Sequence, residues 1–419
     1  MGLPKAYASA VITEVPVSPE EALMTIGKNM AILEAAFKEG AHIIVFTRET
    51  IYPYLEDIPE PQVDWIPCAD PGRYCPYCAW GNNLMGKTAA FRSGDKKPRN
   101  SSDPRCPSDG HYRYNTNVVF GSEGKLVACY PQCSGSFNCP KDPEFVTINT
   151  SFGYVGIFTP RFQADSVLFP TAWGNTLPLV SAVQFHSAHG NERQLSFSKY
   201  TQLHFSGPRA YYYNTEMENG HLLVTELSSH PRLSPDYPAD VYWKLYASRI
   251  EQLPLNNHYF NGVIYHDIFS FMELNEPEGN CAICQQDLCC HLSYKMAEKW
   301  KDDIYVLGAF DGLAVFCLSV SSSLQICTLL KCKSTDRNTC GQPVETAQTK
   351  FEMFSLSGTF GTNYVFPEVL YSGVQLAPGE FEALTDGHLV SWTSKPVLSV
   401  TLFGRWYETD PSHTQRASP

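Results

Sequence analysis

A chain of 419 residues with 43% hydrophobic and 13% aromatic content can bury more than one core, and two domains are expected. Its formal net charge of −12 argues against a nucleic-acid partner, because phosphate binding needs basic patches. Fifteen cysteines point to an oxidising compartment, and their odd number leaves at least one without an internal partner. No apolar run reaches membrane-spanning length. The start, Met1-Gly-Leu-Pro-Lys-Ala-Tyr7, has no charged leader ahead of a continuous apolar core. The stretch from Thr409 to Pro419 is polar, so neither a signal peptide nor a lipid-anchor signal is read. Set against the cysteines, this predicts an incomplete N-terminus.

Tyr7 to Val15 reads as a first strand. Ser18-Pro-Glu-Glu21 opens a helix, with Ser18 as N-cap and Pro19 at its first position. Leu23, Ile26, Met30, Leu33 and Phe37 recur at helical spacing, and Gly40 ends the helix. His42-Ile-Ile-Val-Phe46 is the next strand, and this alternation predicts an α/β layer. Residues 73–92 offer neither a helical stripe nor a strand-length apolar run, so no regular element is expected there. Cys75-Pro-Tyr-Cys78 within them has metal or redox spacing. With no second ligand pair nearby and no βαβ frame, it is read as an accidental pair. Asp95-Lys-Lys-Pro-Arg99 reads as a solvated loop.

Tyr112 to Phe120 and Gly124 to Ala128 read as a hairpin turning at Gly121-Ser-Glu-Gly124. Two short apolar runs follow, Tyr154 to Phe158 and Val167 to Phe169, separated by eight residues. Parallel neighbours ordinarily need a crossover of a dozen or more, so a segment is expected to be missing between them. His186 and His189 stand three apart, but no third ligand accompanies them, and packing is the better reading. No metal site and no cofactor is predicted. Asn100-Ser-Ser and Asn149-Thr-Ser are N-glycosylation sequons. The Pro- and Ser-rich residues 226–240 mark a boundary between domains at 1–225 and 240–408. Beyond it, short runs broken by Gly, Pro and Asp predict a β-rich domain.

Gly156-Ile-Phe-Thr159 and Phe169-Pro-Thr-Ala-Trp173 resemble the nucleophile region of the nitrilase (carbon–nitrogen hydrolase) superfamily, in its vanin/pantetheinase and biotinidase branch. So do Tyr52-Pro-Tyr-Leu-Glu-Asp-Ile-Pro59, Trp65-Ile-Pro-Cys68, Asp287-Leu-Cys-Cys-His-Leu-Ser-Tyr294, Gln325-Ile-Cys-Thr-Leu-Leu-Lys-Cys332 and Phe351-Glu-Met-Phe354. The resemblance implies an α/β fold. This is a nitrilase-like α-β-β-α sandwich, here incomplete with core segments missing, followed by a β-rich, disulfide-bearing C-terminal domain. It also implies hydrolysis of the linear amide of pantetheine to pantothenate and cysteamine, and an extracellular or cell-surface location.

In that family a Glu base, a Lys that stabilises the tetrahedral intermediate and a Cys nucleophile carry the reaction. The resemblance maps Pro160 onto the Cys and Gln132 onto the Lys, and it sets Glu49 one residue beyond the Glu position. Proline has no thiol, and glutamine carries no charge to hold an oxyanion. An inactive relative is therefore expected, with a pantetheine-like small-molecule substrate only if activity survives. A non-catalytic secreted interaction module and a decayed copy without function are the other readings. Cys284, Cys289, Cys290, Cys327, Cys332 and Cys340 match family positions and suit three bridges of unspecified connectivity, while Cys281 and Cys317 are additional.

Overall fold

The computed structural model describes residues 6–11, 31, 34–46, 88–98, 111–121, 123, 125–132, 146–150, 153–157, 166–168, 177–179, 184, 202–206, 209–214, 222–227, 241–246, 259–314, 322–376, 380–393 and 395–410. They fall into two compact units. One comprises Met1–Trp173, Arg193–Gly207 and Tyr211–Tyr237; the other comprises Gly174–Glu192, Pro208–Ala210 and Pro238–Pro419.

In the first unit, β1 (Ala6–Val11) runs parallel to β2 (Ile43–Phe46). A helical stretch over residues 34–38 leads into β2, and Gly40, at φ +87°, ends it in a backbone conformation that favours glycine. All four residues of β2 are buried, as a strand covered on both faces should be. β3 (Thr88–Pro98) lies parallel to β2 and antiparallel to β4 (His111–Phe120), which pairs in turn with β5 (Leu126–Gln132). The β4–β5 hairpin closes at Gly121, whose N–H donates to the Lys125 carbonyl at 2.9 Å. β6 (Thr147–Thr150), β7 (Gly153–Ile157) and β8 (Ser166–Leu168) form a separate three-stranded sheet, and β9 (Gln202–Ser206) pairs with β10 (Arg209–Asn214). β11 (Leu222–Leu227) returns to lie antiparallel to β1, giving the order β11-β1-β2-β3-β4-β5.

Two sequence expectations are corrected here. Residues 73–92 do hold the start of a strand, since β3 begins at Thr88. Asp95 to Pro98 is ladder and not loop, because ten consecutive residues from Ala89 to Pro98 pair with β4. Neither segment has an apolar period to reveal it. The partner strand imposes the extended form, and β preference is largely set by such neighbours. β7 and β8 are parallel neighbours joined by residues 158–165 alone. The join must return from Ile157 only to the level of Val155, which pairs with Ser166. That is about 7 Å along the strand and about 5 Å across. Eight extended residues reach roughly 26 Å, so no helix is needed.

The second unit is a sandwich of two antiparallel sheets. The larger has the order β12-β13-β16-β17-β23-β19-β20: β12 (Tyr259–Ile264), β13 (Asp267–Glu273), β16 (Tyr305–Ala314), β17 (Ser322–Lys331), β23 (Val397–Arg405), β19 (Val365–Tyr371) and β20 (Gln375–Leu376). The smaller has the order β14-β15-β18-β22-β21: β14 (Glu278–Gln285), β15 (Leu288–Glu298), β18 (Lys350–Gly358), β22 (Leu389–Ser391) and β21 (Glu382–Ala383). Between them lies one core that includes Leu292, Leu307, Leu329, Phe351, Phe354, Leu356, Val400 and Leu402.

Both faces of β17 are buried. On the face turned from that core, the Thr328 and Thr401 hydroxyls bond at 2.9 Å, and Gln184 donates to the Ser399 Oγ at 3.0 Å. Tyr265 Oη donates to the Leu177 and Leu179 carbonyls, both at 3.0 Å.

Candidate active site

The three positions that carry the expected chemistry all follow strand ends in the first unit. Glu49 comes three residues after β2, Gln132 is the last residue of β5, and Pro160 comes three residues after β7. Glu49 and Pro160 lie outside the described residues, as do Cys75, Cys78, Asn100, His186 and His189. Gln132 is described through its backbone pairing with Asn115.

Strand register fixes how far apart the first two positions are launched. One row crosses the whole sheet: Leu223, Ala10, Val45, Ala90, Val119 and Ala128 are successive partners. Glu49 lies four residues past Val45 in sequence, and Gln132 lies four past Ala128. β5 points the same way as β2, because two antiparallel steps separate it from β3. The two strands thus end at the same edge of the sheet, but with β3 and β4 between them. Three strand spacings amount to about 14 Å of backbone separation.

On β5, Leu126 and Ala128 are buried while Val127 is exposed. A register shift separates Leu126 from Ala128, and beyond it regular alternation puts Tyr130 in phase with Ala128 and Cys129 out of phase with it. Burial pushes the Tyr130 phenol above its usual range, so it stays neutral. Asn117, directly opposite Tyr130 in the ladder, is buried, and neither its Oδ1 nor its Nδ2 meets a hydrogen-bond partner. An unsatisfied buried amide is costly and uncommon in a strand. Sequence reading missed it, although the polar run Asn115-Thr-Asn117 just ahead of the apolar Val118-Val-Phe120 was the available signal. This end of the hairpin therefore offers neutral hydrogen-bonding groups. Among the described residues, no cluster of His, Cys, Asp and Glu could hold a metal ion.

Away from this sheet, Cys284 is bonded to Cys289, Cys290 to Cys327 and Cys332 to Cys340. Cys281 is a free thiol, pushed up to about 12 by burial, and its Sγ lies 3.6 Å from the Leu292 carbonyl. Such a thiol is a poor nucleophile. Asn149 is exposed on β6.

Residues 258–410 match the family model described as the Vanin C-terminal domain. The chain is 50% identical to a pantetheinase of Bos taurus, with 96% of this chain and 89% of the relative covered. It is 47% identical to a pantetheine hydrolase of Homo sapiens (96% and 88%) and 30% identical to a biotinidase of Takifugu rubripes (94% and 92%). The alignment to the bovine protein runs over 463 positions, more than the 419 residues of this chain. It therefore steps over internal segments that the relative has and this chain lacks. A solved amidase from Nesterenkonia sp. is 13% identical with a TM-score of 0.37, covering 54% of this chain and 90% of that one.

Proposed function

Because this chain belongs to the vanin branch of the nitrilase (carbon–nitrogen hydrolase) superfamily, a branch of pantetheine hydrolases, we propose that it is a member that does not hydrolyse amides. One observation carries the reading: the residue three positions past β7 is Pro160. A cysteine there would form the acyl-enzyme, and proline has neither a thiol nor an ionisable proton. Two further features support it. Gln132 closes β5 where the resemblance calls for a lysine, and a neutral amide lowers the energy of a developing oxyanion far less than a fixed cation. Glu49 follows β2 one residue later than the family's base. Shared fold does not carry activity when the site residues differ.

The proposal divides the chain into a degenerate hydrolase domain over 1–225 and a vanin-type β domain over 240–408. It places the protein outside the cell, with glycans on Asn100 and Asn149. The disulfides support that location, since such bonds persist in oxidising compartments. Among the described residues, no helix is long and apolar enough to cross a membrane.

The deciding experiment incubates purified protein with pantetheine and measures cysteamine. Release at the no-protein background supports the proposal. Release above it that a thiol alkylator abolishes establishes the other reading, an active pantetheinase whose nucleophile is another cysteine.

A further inference from the structure

The residue directly opposite Asn149 in the β6–β7 ladder is Tyr154. We propose that the Tyr154 ring is a platform on which the first N-acetylglucosamine of a glycan on Asn149 rests. The inference depends on the reading of Asn149 as a glycan acceptor.

The geometry starts from the ladder. The Ile157 N–H donates to the Val146 carbonyl at 3.1 Å, which marks that pair as a hydrogen-bonded one. Antiparallel pairs alternate in type, so Asn149 and Tyr154, three pairs further on, form a non-hydrogen-bonded pair. Directly opposed residues share a face, and in this type of pair their side chains stand closest, with Cβ atoms about 4.5–5.5 Å apart.

On that face Asn149 and Thr147 are exposed and Tyr154 is 49% exposed, while Gly156 is buried. The other face of β7 carries Val155 and Ile157, both buried. A half-exposed aromatic ring beside a sequon asparagine meets the chemistry of a pyranose well. The sugar has one face of C–H bonds, electropositive at the edge, and the ring has an electron-rich face. Asn149 also sits on β6, the outer strand of the order β6-β7-β8. A glycan held flat across β6 and β7 would tie β6 to its neighbour and shield its outer side.

The test uses the full chain secreted from cells that make high-mannose glycans. Amidase release of the glycan in heavy-oxygen water, followed by peptide mass, reports whether Asn149 is occupied. Backbone hydrogen exchange over residues 147–157 is then compared for three forms: glycosylated, trimmed to a single sugar, and Asn149→Gln. Exchange in the first two is expected to be about three- to tenfold slower than in the third, the scale of one aromatic contact. Tyr154→Phe should keep that difference and Tyr154→Thr should abolish it.

A proton-detected spectrum of the trimmed form gives a readout that does not need a variant to fold. Ring-current shifts of the sugar C–H protons are expected, and their absence overturns the platform. An occupied Asn149 whose effect is the same in Tyr154→Thr also overturns the platform and leaves the acceptor reading standing. An unoccupied Asn149 overturns both.

Discussion

Cys290 of β15 and Cys327 of β17 are bonded across the middle of the C-terminal sandwich, and neither has any exposed surface. This is the one bridge among the three that joins the two sheets. Cys284–Cys289 links neighbouring strands at the β14–β15 turn, and Cys332–Cys340 closes a short surface loop.

Their removal should therefore cost unequal amounts. Cys290 and Cys327 are 37 residues apart, and a loop of that size corresponds to about 4 kcal/mol in the chain-entropy account. Replacing both by alanine should lower the thermal midpoint far more than the same change at Cys284 and Cys289, which are five residues apart. Calorimetry of the two double variants checks the order; equal shifts would count against the entropic argument.

Lys331 Nζ lies 3.3 Å from Asp303 Oδ1, with both side chains buried. Asp303 Oδ2 also accepts from the Gln348 and Thr349 N–H groups, each at 2.8 Å. Lys331→Met leaves that carboxylate without its cation and should destabilise by about 3–5 kcal/mol. Asp303→Asn with Lys331→Met should recover part of this, because the neutral amide oxygen still accepts. Denaturant titration of the single and double variants measures the difference.

Glu368 is buried opposite Thr401 on the face of the larger sheet turned from the main core, and neither carboxyl oxygen finds a hydrogen-bond partner. Burial pushes its carboxyl well above the usual range, so the folded chain holds the proton. The unfolded chain releases it near pH 4.3. Above that pH the folded state binds more protons than the unfolded one. This group's contribution to stability is therefore full in acid and falls as pH rises, up to the folded value. Glu368→Gln should remove that dependence and make the protein more stable at pH 7 than at pH 4 relative to wild type. Unfolding midpoints at the two pH values decide it; a destabilised Gln variant at pH 7 would show that the carboxylate is ionised and served.

Pro160→Cys alone should not restore hydrolysis, and neither should Pro160→Cys with Gln132→Lys. A nucleophile, its base and an oxyanion cation act as a unit, and Glu49 still follows β2 one residue late. Cysteamine release and the mass of any acyl-enzyme are the two measurements. Turnover within about 100-fold of a pantetheinase control would show that Glu49 serves as the base after all.

What could be read in advance followed the local chemistry. The β4–β5 hairpin was legible because a Gly-bounded turn separates two apolar runs, and β2 because it is a buried run just after a glycine cap. Of the helix read from Ser18 to Gly40 by its cap signals and apolar spacing, the stretch over 34–38 and the stop at Gly40 are described and agree, and residues 18–30 lie outside the described residues. β3 was not legible, because Arg92-Ser-Gly-Asp-Lys-Lys97 has the composition of a loop and takes its form from β4. β7 and β8 were legible as two short apolar runs, but their direct pairing over only three residues was not. The candidate site was legible as three substitutions. The lateral gap between β2 and β5 was not, since strand order is a property of the whole sheet.

β1 takes its antiparallel partner from β11, so Ala6 meets Leu227 across more than half of the chain. On a ribosome adding about 5–20 residues per second, the interval between their appearances is on the order of 10–40 s. Throughout it, one side of β1 is an open edge, a template that any other extended chain can use. Long-range pairing of this kind also slows folding, because the loop must close before the ladder repays it. That edge of the first unit therefore stays uncovered by its own partner until residue 227 has emerged, a consequence of strand order and independent of whether the finished protein hydrolyses anything.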